Sequence, residues 1–427
     1  MQIAILALGS RGDVQPYIAL GKGLQAAGHT VRLVSHDNFA TLARSHGLAF
    51  WPMRGDVQEV AGSAEMRALL EKGDFIAITR YTAREAQRAA LLWAEDGLAA
   101  CAGVDLLIAG IGGLHIAIAL AEKQKIPMVQ AYVVPFTPTG ALPTPLAPTA
   151  LPALPGALNR LSHHAARQLM WQGFRAADAQ ARRDVLGLPA APFTGPYTAP
   201  CLRDQPVLYG FSPAVITPPP DWDARTYVTG YWFLDAEDGW SPPPVLAAFL
   251  ENGPPPVYIG FGSMVSRDPA GTAALVLQAL AHSGQRALLA AGWGGLHQAE
   301  LPDNVLMLEA APHAWLFPRT AAVVHHGGAG TTAAGLVAGV PSIVIPFFGD
   351  QPFWGQRVAR LGVGPAPIPR KELTAARLAA ALDTALTDQD MRRRAAALGA
   401  RIAAEDGVGQ AVAVVGSLLS TRPRQDC

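Results

Sequence analysis

The chain has 427 residues, of which 50% are hydrophobic and 15% are charged, so its apolar side chains suffice for two large buried cores. The 33 Lys and Arg residues balance the 33 Asp and Glu residues, and a chain without a basic surplus is not expected to bind nucleic acid. The cysteines, Cys101, Cys201 and Cys427, are far apart and lack CxxC spacing, which excludes a readable disulfide framework or zinc site and favours a cytoplasmic location.

No segment of the sequence predicts membrane insertion. The first residues, MQIAILALGSRGD, have no basic start before their apolar run, which is unlike a signal peptide. The longest apolar run, 106–121, is shorter than a spanning helix requires and contains glycines and a histidine. We therefore expect a strand, a glycine turn and the start of a helix in this run.

In chain order, the first half alternates between strand and helix patterns. Residues 2–8 predict a strand, a glycine loop and a helix follow, and residues 30–35 predict a second strand, which together make a βαβ unit. The pattern recurs with a strand at 104–110, a helix to about residue 125 and a strand at 128–134. It predicts a parallel sheet with helices on both faces.

The middle of the chain departs from this alternation. The prolines that crowd residues 135–158 predict a long surface loop, since proline cannot continue a helix or an interior strand. Residues 157–185 then predict a helix with five arginines beside apolar residues. Such a helix can touch an anionic membrane peripherally at its inner face, or it can pack on its own domain, which is the simpler expectation.

A second proline cluster, 218–220, predicts a linker, after which the alternation restarts. Predicted strands lie at 257–260, 287–290, 305–308, 321–324 and 342–345, with helices at 272–282 and 331–338. The pattern predicts an α/β fold with two doubly wound, Rossmann-like domains facing across a cleft, where ligands bind at the carboxyl ends of strands. We assign 1–217 to the first domain, 218–240 to the linker region, 241–405 to the second domain, and 406–427 to a C-terminal helix end and tail.

The strongest chemical signal is the segment 325–332, HHGGAGTT, between a predicted strand and a predicted helix. Gly328, Ala329 and Gly330 let a ligand approach the backbone closely, and the N–H groups of the helix start form an anion site. Thr331 adds a hydroxyl, and His326 can donate a hydrogen bond. This combination suits a diphosphate.

The same segment also fits a second motif. Gly328, Gly330 and Ala333 match the GxGxxG/A fingerprint, and Asp350 lies about 20 residues further on, where a ribose-binding acid is expected. A nicotinamide-dependent oxidoreductase is therefore the alternative from a different class.

Asp350 and Gln351 follow the next predicted strand, so they are expected beside the glycine loop. A carboxylate and an amide together supply the acceptors and donors that sugar hydroxyls need. Because Asp is a good N-cap residue and Pro352 suits a first helical turn, the same residues also fit a plain helix start.

The loop of Ser10, Arg11, Gly12 and Asp13 also follows a strand and opens a helix. In a two-domain cleft this loop faces the diphosphate loop. Asp13 can take a proton from an acceptor hydroxyl as a new C–O bond forms, and its alternative role is to cap the helix.

Smaller signals lie at other predicted strand ends. Ser263 offers one more donor to a phosphate or ribose, Trp293 places a large ring in a glycine loop, and Pro312 and His313 follow another strand. The DxD pattern at 221–223 looks like a metal-binding motif, but it stands in the linker after three prolines. We interpret it as a chance match and expect no metal site.

The segment HHGGAGTTAAGLVAGVPSIVIPFFGDQPFWG closely resembles GT-B nucleotide-sugar glycosyltransferases. The nearest likeness is to the bacterial and fungal sterol glucosyltransferase branch, related to glycopeptide-antibiotic glycosyltransferases. The likeness extends to GSRGDVQPYIALGKGL at the start, to PVLYGFSPAV and VTGYWFLD around the linker, and to APHAWLFPR. It spans residues 1 to about 410.

The resemblance implies an inverting hexosyltransferase that works without a metal or resident cofactor. It would move a sugar, glucose from UDP-glucose first, to a hydroxyl of a hydrophobic acceptor such as a sterol, terpenoid, carotenoid or polyketide. It implies that Asp13 is the general base, that His326 holds the diphosphate with Gly328, Gly330 and Thr331 around it, and that Asp350 and Gln351 bind the donor sugar. The other donor-site residues on this interpretation are Ser10, Arg11, Gly12, Ser263, Trp293, Pro312, His313 and Ala329.

The sequence differs from that of plant relatives at two positions, and these differences leave open whether the donor carries uridine or thymidine. Those relatives begin the donor motif with a Trp that stacks on the base, where this chain has Ala310, and they use a His base where this chain offers Asp13. Both features fit the sterol and antibiotic branch, so a TDP-deoxysugar transferase is an alternative to a UDP-glucose enzyme. A non-catalytic sugar-nucleotide-binding protein is a third option, which Asp13 beside the donor motif disfavours.

Overall fold

The computed structural model describes residues 1–55, 63, 65, 66, 68, 69, 75–147, 154–235, 240–261, 269–290 and 301–420. Two of the predicted donor-site residues, Ser263 and Trp293, lie outside these ranges, as does Cys427.

The first part of the chain forms a seven-stranded parallel sheet. Its strands are β1 (Gln2–Leu6), β2 (Thr30–Ser35), β3 (Ala49–Pro52), β4 (Leu106–Ala109), β5 (Met128–Tyr132), β6 (Val207–Tyr209) and β7 (Thr226–Val228). They are ordered β3-β2-β1-β4-β5-β6-β7. β1 lies inside the sheet, where Ile3 is in register with Val31 on one side and Leu106 on the other. Because helices cover both faces, β1 after Gln2 and all of β4 are continuous apolar runs.

The second part forms a five-stranded parallel sheet. Its strands are β8 (Val257–Gly260), β9 (Ala287–Ala290), β10 (Val305–Leu308), β11 (Ala322–His325) and β12 (Ser342–Val344), ordered β10-β9-β8-β11-β12. The strand order reverses between β8 and β11, and ligands of such sheets bind in the crevice at that point.

Helices follow the strands in both parts. Those of the first part are α1 (Arg11–Ala26), α2 (Ala40–Ser45), α3 (Phe75–Ala100), α4 (Leu114–Gln124) and α5 (Gly156–Ala181), the last continued by a π-helical turn at Arg182–Leu186. Those of the second part are α6 (Pro244–Glu251), α7 (Pro269–Ser283), α8 (His313–Leu316), α9 (Ala329–Val337), α10 (Gln351–Arg360), α11 (Ala375–Thr387), α12 (Gln389–Ala403) and α13 (Gly407–Ser420).

Helix α13 packs against α1 and joins the apolar core on that side of the first sheet. Its residues Ala411 and Val415 are fully buried in one apolar cluster with Ile3 of β1. The approach to α1 is close, because a Cβ atom on Gly23 would lie 2.4 Å from Val408 Cγ1. The C-terminal helix therefore ties the end of the chain to the sheet that carries the N-terminal loop.

Strand β7 lies inside the segment that the proline cluster predicts to be linker. It pairs with β6 as the edge strand of the first sheet. A three-residue strand has no periodicity that a sequence pattern can show. Between β6 and β7, Ser212 Oγ donates a hydrogen bond to Glu405 Oε1 at 2.6 Å, which links the two parts of the chain near their connection.

Helix α5 packs its buried side, centred on Trp171, against α3. Its outer side leaves Leu158, Leu161 and Leu169 exposed. Three of the arginines that suggest a basic face form ion pairs within the protein instead. The pairs are Arg160 with Asp221, Arg182 with Asp178 and Glu122, and Arg183 with Asp184. In the described part of the chain, no helix combines the length and apolarity needed to cross a membrane.

Candidate active site

Two loops that follow parallel strands, one from each sheet, meet across the cleft. The first runs from β1 into α1, and the second runs from β11 into α9. A methyl group placed on Gly330 of the second loop would lie 3.8 Å from the Cα atom of Gly12 in the first. The cleft at this point is thus narrow enough for one ligand to touch both loops.

Asp13 lies in the first turn of α1 and is held by Ser10. The backbone N–H and the hydroxyl of Ser10 both donate to Asp13 Oδ2 at 2.8 Å, and the N–H of Asp13 donates to Ser10 O at 2.9 Å. Gly9 has φ +140°, and a Cβ there would lie 2.5 Å from Asp13 Oδ2. The glycine is therefore needed for the carboxylate to fold back. Oδ1 receives no hydrogen bond from the described residues and remains available to a substrate.

The environment of Asp13 makes it a stronger base than an ordinary aspartate. Desolvation by the surrounding protein raises its pKa, against the two hydrogen bonds from Ser10, which lower it. Asp13 is nevertheless exposed to solvent. The position therefore combines access for an acceptor with increased proton affinity.

The glycine loop turns sharply at Gly327, whose φ is +92°. The N–H of Gly327 donates to His325 Nδ1 at 3.0 Å, so the buried His325 ring holds the turn and carries its own proton on Nε2. Gly328 is then the N-cap of α9, with its carbonyl accepting from Thr332 N at 2.9 Å. The next N–H groups, of Ala329, Gly330 and Thr331, stand at the start of the helix and form an anion site.

His326 projects beside this helix start. A Cβ placed on Gly328 would lie 2.5 Å from His326 Nε2, so the absence of a side chain there makes room for the ring. The ring makes no hydrogen bond to the described residues, and its Nδ1 is buried. Burial lowers the pKa of His326 to about 4. The ring is thus a neutral hydrogen-bond donor at pH 7 without an anion bound.

Asp350 is the N-cap residue of α10, as its second predicted role requires, but its side chain does not cap the backbone. Its Oδ2 accepts a hydrogen bond from Trp354 Nε1 at 2.7 Å. Gln351 lies against the glycine loop, because a Cβ on Gly327 would lie 3.1 Å from Gln351 O. The Gln351 side-chain oxygen accepts from the N–H groups of Phe347 and Phe348 at 2.7 and 3.2 Å. The structure therefore brings the glycine loop and the Asp350–Gln351 pair together.

Electrostatic coupling crosses the cleft at two points. Burial raises the pKa of Asp350 to about 6 and the charge of Asp13 adds to that shift. Burial lowers the pKa of His313 to about 4, with further contributions from the charges of Arg11 and His326. Residues of the two sheets thus lie within the range of direct charge interaction.

The other predicted residues have structural partners. Pro312 is the N-cap residue of α8, and the His313 ring stacks on Phe317, with centroids 4.2 Å apart, and forms a T-shaped pair with Tyr258. Arg11 donates through Nε to Gln15 Oε1 at 3.0 Å from an exposed position. The assignment of Pro312 and His313 to the donor site stays a prediction.

The DxD pattern has a structural role. Asp221 accepts hydrogen bonds from Thr139 Oγ1, Gly140 N and Arg160 Nη2 at 2.5 to 2.7 Å. Desolvation opposes ionisation there, but these hydrogen bonds bring the pKa of Asp221 to about 2. Asp223 accepts from Thr226 Oγ1 at 2.9 Å and so anchors the start of β7. Both carboxylates therefore accept hydrogen bonds that stabilise the fold.

Sequence reasoning missed two residues that shape the site. His325 fixes the turn at Gly327, and Trp354 holds Asp350. The only signal for Trp354 was its position one helical turn after Asp350. Nothing in the sequence distinguished His325 from His326 except that it falls at the end of a buried strand.

Two family models match the chain. Residues 3–143 match the glycosyltransferase family 28 N-terminal domain, and residues 288–415 match the erythromycin biosynthesis protein CIII-like C-terminal domain. Among solved structures, the chain is similar to the glycotransferase of kitacinnamycin, with a TM-score of 0.68, 19% identity, and coverage of 98% of this chain and 99% of the other. The chain therefore has the fold of the GT-B glycosyltransferases, which confirms the predicted fold class.

Two curated relatives narrow this class. Two sterol 3-beta-glucosyltransferases of Arabidopsis thaliana are 39% and 37% identical over 96% of this chain. The chain spans 64% and 67% of their lengths. It belongs to the family of the sterol 3-beta-glucosyltransferases, which is the resemblance that the sequence motifs indicated.

Proposed function

We propose that this chain transfers a hexose, glucose first, from a UDP-sugar to the hydroxyl of a hydrophobic acceptor, with inversion at the anomeric carbon. The observation that carries the proposal is the position of Asp13 opposite the glycine loop, close enough to Asp350 for their charges to interact. A base from one sheet and donor-binding groups from the other are what transfer between two bound substrates requires.

In the proposed reaction, Asp13 acts through the oxygen that Ser10 leaves free. As the acceptor oxygen attacks the anomeric carbon from the face opposite the diphosphate, its proton passes to Asp13 Oδ1. The bond between the anomeric carbon and the diphosphate oxygen breaks, and UDP leaves with the electron pair. The N–H groups at the start of α9 and the ring of His326 stabilise the charge that develops on the diphosphate.

Support for each substrate comes from a different source. The names of the relatives at 37–39% identity support glucose as the sugar and a sterol as the first acceptor to try. Uridine is supported by the resemblance of the donor motif to the sterol branch. A TDP-deoxysugar is the second donor to test, because Ala310 stands where plant glycosyltransferases outside the sterol branch are expected to have a base-stacking Trp.

Peripheral membrane contact is a further part of the proposal. Leu161 is 60% exposed, Phe193 is 64% exposed, and Leu158 and Leu169 are also exposed. Since three of the nearby arginines are ion-paired, the attraction would be apolar rather than electrostatic. Leu161→Asp should reduce co-sedimentation with phosphatidylcholine vesicles, whereas Val245→Asp, at an exposed valine on α6, should not. Equal sedimentation of both variants and the wild type would remove this contact.

Calorimetric titration with UDP, TDP and NAD, followed by an assay of glucose transfer from UDP-glucose to a sterol, tests the main proposal. Binding of UDP and formation of a β-linked sterol glucoside are expected. Binding of TDP but not of UDP would make a TDP-sugar the donor in place of UDP-glucose. Binding of NAD without either nucleotide would overturn the proposal.

A further inference from the structure

The donor-sugar carboxylate of the proposed function has an unusual hydrogen-bond arrangement. An N-cap aspartate ordinarily accepts hydrogen bonds from the second and third N–H groups of its helix. The second residue of α10 is Pro352, which has no N–H group, and Asp350 makes no side-chain hydrogen bond to the helix backbone. Its carboxylate is therefore free to turn away from the helix axis.

Trp354 is the residue that receives this carboxylate. Its indole N–H donates to Asp350 Oδ2 at 2.7 Å, one helical turn further on. The indole is fully buried and packs edge-on against Phe353, with ring centroids 5.2 Å apart, so its position is set by the core. A buried Trp N–H ordinarily requires a partner, and here the partner is the carboxylate.

The remaining oxygen faces a different environment. Asp350 Oδ1 accepts no hydrogen bond from another of the residues that the structure describes, and Asp350 is only partly buried. One oxygen is thus anchored to the core and the other is left for a ligand. This division fixes both the direction and the rotation of the carboxylate before a sugar arrives, which reduces the ordering cost of binding.

We infer that Trp354 is a positioning residue that aims Asp350 at the hydroxyls of the donor sugar. The inference rests on the proposed function, because it gives Asp350 the sugar as its ligand. On this inference, different residues recognise the two halves of the donor. Trp354 affects the binding of the sugar, and the glycine loop with His326 affects the binding of the diphosphate. Loss of the indole N–H should therefore weaken the binding of UDP-glucose and leave the binding of UDP unchanged.

Trp354→Phe tests this separation. We expect about a tenfold increase in the KM for UDP-glucose, less than for a direct hydrogen bond to the ligand because the Asp350 carboxylate remains present, with a UDP dissociation constant within twofold of the wild type. The matched control is Trp171→Phe, which removes another fully buried indole that donates to a backbone oxygen, Phe193 O, at 3.0 Å in the first part of the chain. It should lower thermal stability without changing the KM for UDP-glucose.

A double-mutant cycle distinguishes positioning from general packing. If Trp354 acts through the carboxylate, Trp354→Phe should have no further effect on the KM in an Asp350→Ala background. Additive effects, or equal weakening of UDP and UDP-glucose, would overturn the inference. An unchanged KM in the single variant would also overturn it while leaving the proposed function intact. A wild-type protein that binds neither UDP nor UDP-glucose would instead overturn the proposed function, and this inference with it.

Discussion

Asp13 and Asp350 come from different sheets, yet the negative charge of Asp13 raises the pKa of Asp350. Burial is the largest cause of that shift, and the Asp350 pKa reaches about 6 although the hydrogen bond from Trp354 lowers it. The candidate base and the candidate sugar-binding acid are therefore coupled through the space in which the reaction is proposed to occur. The tests below use this coupling and the contacts around it.

Asp13→Asn should abolish most of the turnover and keep the affinity for UDP-glucose. The amide preserves the shape of the side chain but cannot accept a proton, and general-base catalysis contributes on the order of 10²–10⁴ in rate. The kcat for glucosylation and the dissociation constant of UDP-glucose measure the two effects. Asp37→Asn, at an exposed position after β2, is the control. Full activity of the Asp13 variant would exclude it as the base.

The affinity for UDP-glucose should fall as the pH drops below about 6. The pKa of Asp350 is raised in the free protein, so this carboxylate is ionised above that pH and becomes protonated below it, which removes an acceptor for sugar hydroxyls. Calorimetry between pH 5 and 8 measures the midpoint. In Asp13→Asn the midpoint should move to lower pH, because the like charge is gone. A midpoint that is the same in both proteins would contradict the coupling.

His326→Ala should weaken the binding of UDP by about 2–3 kcal/mol, the value for a lost hydrogen bond to a charged group. Because the pKa of His326 is lowered to about 4, its contribution at pH 7 is that of a neutral donor in the free protein. His164→Ala, at an exposed position on α5, is the control and should bind UDP normally. Unchanged UDP affinity in the His326 variant would exclude the assigned role.

Two glycine substitutions in the same loop should differ in their effect. A methyl group on Gly328 collides with the imidazole ring of His326, whereas a methyl group on Gly330 meets only the Cα atom of Gly12 at 3.8 Å. Gly328→Ala should therefore displace the ring and weaken UDP binding about as much as His326→Ala does. Gly330→Ala should weaken UDP binding less. Titration of both variants with UDP makes the comparison. Equal losses would show that the ring position does not depend on Gly328.

Arg182→Ala should destabilise the fold strongly. Arg182 is 3% exposed and its Nε donates to Asp178, which is 4% exposed, at 2.8 Å. Removing one partner leaves a buried carboxylate uncompensated, which costs about 3–5 kcal/mol in the free energy of unfolding. Burial already raises the pKa of Asp178 to about 6.

The control for this stability test is Arg183→Ala, in which the exposed neighbouring arginine loses only a surface pair with Asp184. Urea denaturation of both variants should show a lower midpoint for the Arg182 variant alone. Equal midpoints for the two variants would show that the buried pair does not stabilise the fold.

Much of the glycine loop could be predicted from the sequence because its determinants are local. The apolar run of β11, the glycines after it and the helix pattern of α9 lie within 16 residues of one another, and each follows from backbone geometry and periodicity. The same reasoning placed Asp13 at a strand-to-helix turn. Its raised pKa was not predictable, because the surrounding protein that desolvates it comes from the tertiary fold.

The tertiary structure decided the contacts between residues that are distant in sequence, and it decided the partners of residues for which the sequence offers several. The arginines of α5 suggested a membrane face, but Arg160 and Arg182 pair with carboxylates that lie 61 and 60 residues away, and Arg182 also pairs with its near neighbour Asp178. β7 exists because β6 offers it a free edge. The sequence by itself determined the α/β class, the family and the local turns, since these depend on short-range pattern. Only the tertiary structure decided which oxygen of Asp350 is anchored and which charges face Asp13, since those depend on how the chain packs.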